Sequence, residues 1–341
     1  MISDETYMNR CIQLASLAKG MVAPNPLVGC VIVVNDEIIG EGYHDKFGGP
    51  HAEVNAIKSV QNADLLKDAT IYVSLEPCSH QGKTPPCVDL LVISNFKRVV
   101  IGSLDPNPLV SGRGIEKLRK NGIEVTVNIE EEKCRFLNRH FFTFHIKKRP
   151  YVFLKWAETE NGKIDNGGNP DTVTWITSPP TQSIVHQWRS EHQSILVGFN
   201  TVVNDNPSLT VRAVEGNNPI RIILDPRLEI NVNKKVFNSA SETIILNQTI
   251  EKTEGNIRHI KLSDFTAQNI LNTLYEQGIQ SIMVEGGAKT LQLFIDSGLW
   301  DEACKIVGTQ TFQEGTNAPK LSVKPESKTI LNKEEFNYYY Q

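Results

Sequence analysis

A chain of 341 residues has room for two domains at about 100–200 residues each, which excludes a peptide hormone or a single small module. With 35 Lys and Arg against 39 Asp and Glu the formal charge is −4, so no basic surplus exists to hold a phosphate backbone and nucleic acid is excluded as a main partner. An apolar fraction of 40% with 22% charged residues excludes a disordered chain, and no apolar run reaches the ~20 residues of a membrane helix.

The polar, acidic start MISDETYMNRCIQ lacks the basic and then apolar pattern of a signal peptide, so the protein is expected in the cytoplasm. Residues 6–19 place apolar side chains at helical spacing, and a strand follows over Gly29–Val34. Asn35-Asp36 turns it back into a second strand over Glu37–Gly42. The pattern continues with helix 51–60, strand 70–75, helix 86–95, strand 98–102, helix Gly114–Asn121 and strand 123–127. Helices interleaved with short apolar strands predict a layered α/β domain. The basic stretch ending at Pro150 marks the boundary. A second α/β series then runs through strand 151–156, helix 180–192, strands 194–198, 220–224 and 243–246, helix 266–277, strand 281–285, helix 288–297 and strand 302–308. Ser178 and Pro179 form an N-cap and N1 pair for the first of these helices. From about Gly315 the chain turns polar, and its FNYYY ending reads either as an edge strand or as a frayed end.

Six cysteines are too few and too scattered for a disulfide scaffold, and in a reducing compartment clustered thiols suggest metal or catalysis. His51-Ala52-Glu53 opens a helix after Gly48-Gly49-Pro50; alone, an HxE is as easily a helix-start histidine beside a solvated glutamate. Pro77-Cys78 at a strand end and Cys87 at the next helix start change that. One imidazole and two thiolates make a three-ligand zinc site with an open fourth position, the arrangement of a catalytic centre. Cys₂His favours zinc without excluding iron. Glu53 is placed as the proton shuttle, and His51 and Glu53 reach one pocket only if it lies at the helix start. The order H-x-E … P-C … C is that of the zinc deaminases, although SHQGKTPP separates Cys78 from Cys87 where the usual form has two residues. A Cys78–Cys87 disulfide and two unrelated core thiols are the competing readings.

The stretches APNPLVGCVIV, GGPHAEVNAI, LEPCSHQGKTPPC and DPNPLVSGRG, followed by WITS, DNPSLTVR and VEGGAKTL, resemble the bifunctional riboflavin-biosynthesis deaminase/reductases over nearly the whole chain. The resemblance implies a cytidine-deaminase-like three-layer α/β domain over 1–148 and a dihydrofolate-reductase-like α/β domain over 149–341. It implies zinc-dependent deamination of a phosphoribosylaminopyrimidine, then NADPH-dependent reduction of the ribosyl group to ribityl. Deaminase substrate contacts map onto Asn25, His44, His80, Lys83 and Asn107. His80 and Lys83 suit a phosphate on their glycine-containing loop, while Asn25 and Asn107 equally suit the PNP turns they occupy.

No GxGxxG follows a strand in the second half; strand 281–285 instead leads into Gly286-Gly287 and a helix, whose first N–H groups suit an anionic phosphate or an ordinary tight turn. By resemblance NADPH is held by Ala157, Trp175, Thr201, Asp205, Gly287, Ala288, Lys289, Thr290, Leu291, Gln292 and Leu293, and the phosphoribosyl substrate by Arg189, Leu209, Arg212 and Glu285. Arg189 and Arg212 suit a phosphate fork, Arg189 equally a helix surface, and Trp175 equally a core. Where the family reads serine-leucine-aspartate-glycine-lysine this chain has Thr159-Glu160-Asn161-Gly162-Lys163, a lost charge that bears on the reductase half. Small-molecule substrates and self-association as a homo-oligomer complete what the resemblance implies. A nucleic-acid deaminase predicts a basic groove and a C-x-x-C closure, neither of which is present, and a deaminase with a purely structural second half is the other alternative.

Overall fold

The computed structural model describes residues 2–79, 85–107, 112–168 and 175–341, which divide into two compact units, 1–147 and 148–341. In the first unit the elements run α1 (Asp4–Ser16), β1 (Gly29–Val34), β2 (Glu37–Tyr43), α2 (Ala52–Ser59), β3 (Thr70–Leu75), α3 (Cys87–Ile93), β4 (Arg98–Ser103), α4 (Arg113–Lys120), β5 (Glu124–Thr126), α5 (Glu131–Leu137) and α6 (Arg139–Lys147). They form a sheet of order β2-β1-β3-β4-β5. Its period-2 alternation sends Cys30, Ile32, Ile71, Val73, Val99 and Ile101 against α2, α3 and α4, and Val31, Val33, Tyr72 and Val100 against α1 and Cys134 of α5. That alternation makes three layers.

The second unit holds β6 (Tyr151–Glu158), α7 (Pro179–Glu191), β7 (Ser194–Gly198), α8 (Phe199–Asp205), β8 (Ile220–Leu224), β9 (Thr243–Asn247), β10 (Lys252–Glu254), β11 (Ile257–Lys261), α9 (Ala267–Glu276), β12 (Ser281–Val284), α10 (Ala288–Ser297), β13 (Glu302–Val307), β14 (Ser327–Leu331) and β15 (Glu334–Tyr340). The ten-stranded sheet has the order β10-β11-β9-β8-β7-β12-β6-β13-β15-β14. Val152, Leu154, Leu196 and Ile222 meet α9 and α10 on one face, while Phe153, Ile195, Val197 and Ile223 meet α7 and α8 on the other. Strands β6, β7, β8, β9 and β12 pair in parallel and are buried on both faces, hence their nearly unbroken apolar runs.

The predicted elements are all present, with ends moved by a few residues, and six more appear. Helix α8, FNTVVND, is short and β-branched, a poor helix signal. Strands β10 and β14 at the two sheet edges are solvent-facing and β11, inside β10, is only half-buried, so no apolar alternation announces them. Helices α5 and α6 meet at Asn138, whose side chain accepts from the Leu27 N–H at 2.7 Å and donates to the Leu27 carbonyl at 2.8 Å. The FNYYY ending is neither edge nor frayed: β15 lies between β13 and β14. Ser178 does occupy the N-cap of α7, but its side chain makes no cap bond. Glu334 of β15 takes over, accepting from the Ser178 N–H at 2.5 Å, the Ser178 hydroxyl at 3.1 Å and the Thr181 hydroxyl.

Candidate functional site

In the first unit three chain segments converge. His51 is the N-cap residue of α2, Cys78 follows the end of β3, and Cys87 begins α3. His51 Nδ1 lies 3.6 Å from Cys78 Sγ and 3.3 Å from Cys87 Sγ, and the three donor atoms fall within 4.8 Å of one another. Metal–ligand bonds of about 2.3 Å to sulfur and about 2.0 Å to nitrogen in a tetrahedron imply N···S edges of about 3.5 Å, so the donor set fits zinc. The free-thiol state of both cysteines excludes the disulfide. Start-of-helix geometry supports thiolate: the Cys87 N–H donates to Cys78 Sγ at 3.3 Å and the Val88 N–H to the Cys78 carbonyl at 3.2 Å. A hydrogen bond from the Cys87 thiol holds Cys78 down to about 4, and the same bond pushes Cys87 up. Both sulfurs must be deprotonated to hold a cation, so metal binding and loss of the thiol proton go together.

Glu53, in the first turn of α2, is 3% exposed and lies within reach of Cys87. Burial raises its carboxyl above the ordinary carboxylate range. Beside it the His44 ring stands edge-on to His51 at 5.6 Å between centroids. His44 Nδ1 donates to the Pro50 carbonyl at 2.9 Å, which leaves Nε2 to accept from the Asn25 amide at 3.0 Å. Burial lowers the His44 pKa and keeps the ring neutral, so the pair fixes the orientation of the Asn25 carboxamide. Asn107 sits in a turn whose N–H donates to Asp105 Oδ1 at 2.7 Å. His80 and Lys83 lie outside the described residues. Glu76 was not singled out from sequence: 3% exposed, it accepts from the Gly112 N–H at 3.1 Å and the Asp105 N–H at 3.4 Å, tying the Cys78 segment to the Asn107 turn. Its signal was an acid placed directly before Pro77-Cys78.

In the second unit the residues mapped onto a phosphoribosyl group gather on the α7 face of the sheet. Arg189 pairs through Nε and Nη2 with both oxygens of Glu285, at 3.0 and 2.5 Å. Its bidentate fork is therefore taken by Glu285, while the side chain of Arg212, an exposed residue, reaches Thr210 Oγ1 at 3.0 Å. Arg189 Nη1 also donates to the Thr210 carbonyl at 3.4 Å. His186 Nδ1 accepts the Arg212 N–H at 3.2 Å, and burial, then the two arginines, hold that ring neutral down to about 4. Leu209 is buried among Ile195, Val197 and Ile223, with φ +53. A left-handed leucine costs roughly 1–2 kcal/mol, strain that persists where surroundings over-determine the turn. Lys155 on β6 also faces this group: burial lowers its pKa, opposed by Glu285. Sequence reasoning passed over it, although a lone cation inside YVFLKWAE was the signal.

At the start of α10, Gly287 is the N-cap without a side-chain cap, and its N–H donates to Thr201 Oγ1 at 2.8 Å. A Cβ on Gly286 would lie 2.8 Å from Gly198 N and 2.9 Å from Val197 Cα, so only glycine lets the turn pass β7. The N–H groups of Ala288 and Lys289 point from the positive helix end, which fits an anionic cofactor group. Thr290 faces Gly198, where no Cβ blocks it. The Leu291 side chain belongs to the core and Leu293 packs against it. Gln292 is engaged by Asp296 and by the Lys320 N–H. Contacts from this run to a ligand therefore fall to backbone and Lys289. Ala157 is half-buried near the end of β6, burial and Asp165 raise Asp205, and Trp175 is 58% exposed rather than in the core. Asn161 is engaged by the backbone of Phe312, its amide donating to the Phe312 carbonyl at 2.7 Å and its oxygen accepting the Phe312 N–H at 3.2 Å.

Residues 1–103 match the family described as the cytidine and deoxycytidylate deaminase zinc-binding region, and residues 150–324 match the RibD C-terminal domain. The riboflavin biosynthesis protein RibD of Aquifex aeolicus is 44% identical, covering 96% of this chain and 93% of that protein. That of Actinobacillus pleuropneumoniae is 39% identical over 98% and 88%. Among solved structures, a diaminohydroxyphosphoribosylaminopyrimidine deaminase/5-amino-6-(5-phosphoribosylamino)uracil reductase from Thermotoga maritima superposes with a TM-score of 0.89 at 40% identity, over 98% of this chain and 97% of that one. RibD of Acinetobacter baumannii gives 0.88 at 30% identity, over 99% and 98%.

Proposed function

The chain belongs to the RibD family, the bifunctional deaminase/reductases of riboflavin biosynthesis, and on that premise we propose which of its groups carry the two reactions. One observation supports the deaminase assignment above all: an imidazole and two sulfurs within 4.8 Å of one another beside a carboxyl that is 3% exposed. His51, Cys78 and Cys87 would hold Zn2+ with three protein ligands, the donor set of a catalytic centre. When bound, the ion supplies the Lewis acidity that lets water lose a proton near neutral pH. Glu53 takes that proton as the amine-bearing ring carbon is attacked and returns it to the departing nitrogen, so that ammonia leaves. The substrate is 2,5-diamino-6-(5-phosphoribosylamino)pyrimidin-4-one. Asn25, its carboxamide fixed by neutral His44, and Asn107 orient the ring, and His80 and Lys83 meet the phosphate.

In the second unit NADPH, when bound, supplies a hydride for the sugar C1′. The N-terminus of α10 receives an anionic group of the cofactor, with Ala157, Trp175, Thr201 and Asp205 around it. Arg212 meets the substrate phosphate, and the Arg189–Glu285 pair with the Leu209 turn shapes the sugar site. Lys155 Nζ gives the ring oxygen its proton as ribosyl opens towards ribityl. Cytoplasmic location and a homo-oligomeric state complete the reading; light scattering of the purified chain checks the latter. Among the described residues no helix is long and apolar enough to cross a membrane. The decisive experiment measures zinc content and ammonia release together in the wild type and in Glu53→Gln, with NADPH oxidation on deaminated substrate as the second readout. The variant is expected to keep its zinc and its reductase rate while deamination falls about 10²–10⁴-fold. Wild-type ammonia release from it would remove Glu53 from the chemistry, and zinc-free wild-type protein that still deaminates would remove the metal assignment.

A further inference from the structure

Among the described residues Arg221 is the largest side chain with no exposed surface. It sits on β8 inside the ten-stranded sheet, and among the described residues no carboxylate pairs with it. Four neutral acceptors surround the guanidinium instead. Nε donates to the Ser208 carbonyl at 3.0 Å, Nη1 to the Val236 carbonyl at 2.9 Å and the Asn238 carbonyl at 3.0 Å, and Nη2 to Asn238 Oδ1 at 2.8 Å. Burial alone depresses its pKa, in keeping with a charge that no acid compensates. A buried strand position is commonly filled at no loss by an apolar residue of similar volume, so an unpaired cation here calls for a task that apolar side chains cannot perform.

That task is visible in what Nε holds. Ser208 precedes Leu209, the buried left-handed residue, and the chain then delivers Thr210 and Arg212 to the Arg189–Glu285 pair. Downstream the same segment is held by the Asn218 side chain on the Val211 N–H at 2.9 Å and by His186 on the Arg212 N–H at 3.2 Å. Upstream, Asn206 has φ +43 and is anchored by its own N–H to the Val202 carbonyl at 3.2 Å and by the Lys235 N–H on its Oδ1 at 2.9 Å; Pro207 brings no N–H, and between Asn206 and Leu209 the bond from Arg221 to the Ser208 carbonyl holds the turn. A guanidinium is rigid and multiply donating, and ties the Ser208 turn to the 236–238 segment at once.

We propose that Arg221 is a positioning residue of the reductase, fixing the Ser208–Arg212 turn so that Thr210 and Arg212 face the substrate phosphoribosyl group. This rests on the assignment of Arg189, Leu209, Arg212 and Glu285 to that substrate.

The test uses the full-length chain and four variants: Arg221→Met, Arg221→Lys, Asn238→Ala and Arg212→Ala. Steady-state reductase kinetics, deaminase rate, thermal melting and hydrogen exchange of the 206–213 peptide are read for each. Arg221→Met is expected to raise the reductase KM for the phosphoribosyl substrate at least tenfold, with the KM for NADPH and the deaminase rate within twofold of wild type. Exchange of the 206–213 peptide is expected to quicken while that of β12 stays unchanged. Arg221→Lys is expected to restore part of the substrate KM, and Asn238→Ala, which removes an acceptor away from the turn, to lower the melting temperature without moving it. An unchanged substrate KM in folded Arg221→Met overturns the proposal, as does a substrate KM in Asn238→Ala equal to that of Arg221→Met. If Arg221→Met does not fold, Arg221→Lys decides by the same criterion. Arg212→Ala separates the two levels: a wild-type substrate KM there overturns the site assignment itself, whereas a raised KM there with none in the Arg221 variants overturns only the role of Arg221.

Discussion

Two adjacent glycines at the start of α10 should respond unequally to the same added methyl group. In Gly286→Ala the new Cβ falls 2.8 Å from Gly198 N, 2.9 Å from Val197 Cα and 3.2 Å from Val197 C. Every one of these neighbours is backbone of β7, in the middle of a sheet, and cannot rotate aside. Relief needs a shift of about 0.6–1.2 Å if ordinary carbon contacts of about 3.5–4.0 Å are to be reached, and the flexible partner is the helix start. Overpacking of this kind costs about 1–3 kcal/mol. The displacement also stretches the 2.8 Å bond from the Gly287 N–H to Thr201, worth about another 1 kcal/mol. For a unit spanning 148–341 a loss of about 2–4 kcal/mol corresponds to a fall of roughly 5–15 °C in its melting temperature. In Gly287→Ala the Cβ meets only Thr201 Oγ1, at 3.4 Å, while φ −40 with ψ 165 lies about 20° outside the β region, a mild strain for alanine. Loss of glycine's unfolded-state freedom offsets that strain, so this variant stays within about 1 kcal/mol of the wild type. Differential scanning calorimetry of both variants, with the KM for NADPH of Gly286→Ala, gives the answer. A Gly286→Ala protein that melts with the wild type and keeps its cofactor KM would refute the steric argument, as would a Gly287→Ala protein that is the less stable of the two.

Asp301 is 5% exposed at its side chain and accepts from Arg149 Nη1 at 2.5 Å, Arg149 Nη2 at 2.8 Å and the Val152 N–H at 2.9 Å. Asp301→Ala strands a buried guanidinium and should cost about 3–5 kcal/mol, while the double variant Arg149→Met/Asp301→Leu recovers most of it in chemical denaturation. His186 is held neutral down to about 4 against an unfolded value of 6.5, so between those pH values the unfolded chain binds more protons and stability declines as the pH falls. That loss reaches at most about 3 kcal/mol, and urea titrations at pH 7 and pH 4 should find it largely absent from His186→Asn. Asn161→Asp keeps the acceptor for the Phe312 N–H but sets a carboxylate against the Phe312 carbonyl, so it should lower stability by about 1 kcal/mol without raising the reductase rate. A faster reductase in Asn161→Asp would restore the idea of a lost substrate contact.

Much of this protein is written locally. Runs such as GCVIVV, TIYVSL and SILVG can bury two faces only inside a covered parallel or mixed sheet, and helical spacing between them requires layers. The residue types of a metal centre, and an acid beside its histidine, are legible because a three-ligand site demands an imidazole and thiolates whatever the fold. Elements whose side chains face water, such as β10 and β14, left no pattern because burial, the source of pattern, is missing there.

What distance in sequence conceals, tertiary structure alone decides. Residues 51, 78 and 87 come within 4.8 Å because α2 and α3 start on the same side of one sheet. Arg189 and Glu285, 96 residues apart, form a bidentate pair that leaves Arg212 as the cation of the two not bound in a salt bridge, which no inspection of either arginine's neighbours foretold. Lys155, Glu76 and Arg221 follow the same logic. A charged group buried far from its partners has a local sequence that records its presence, whereas its use depends on which distant atoms the chain folds against it.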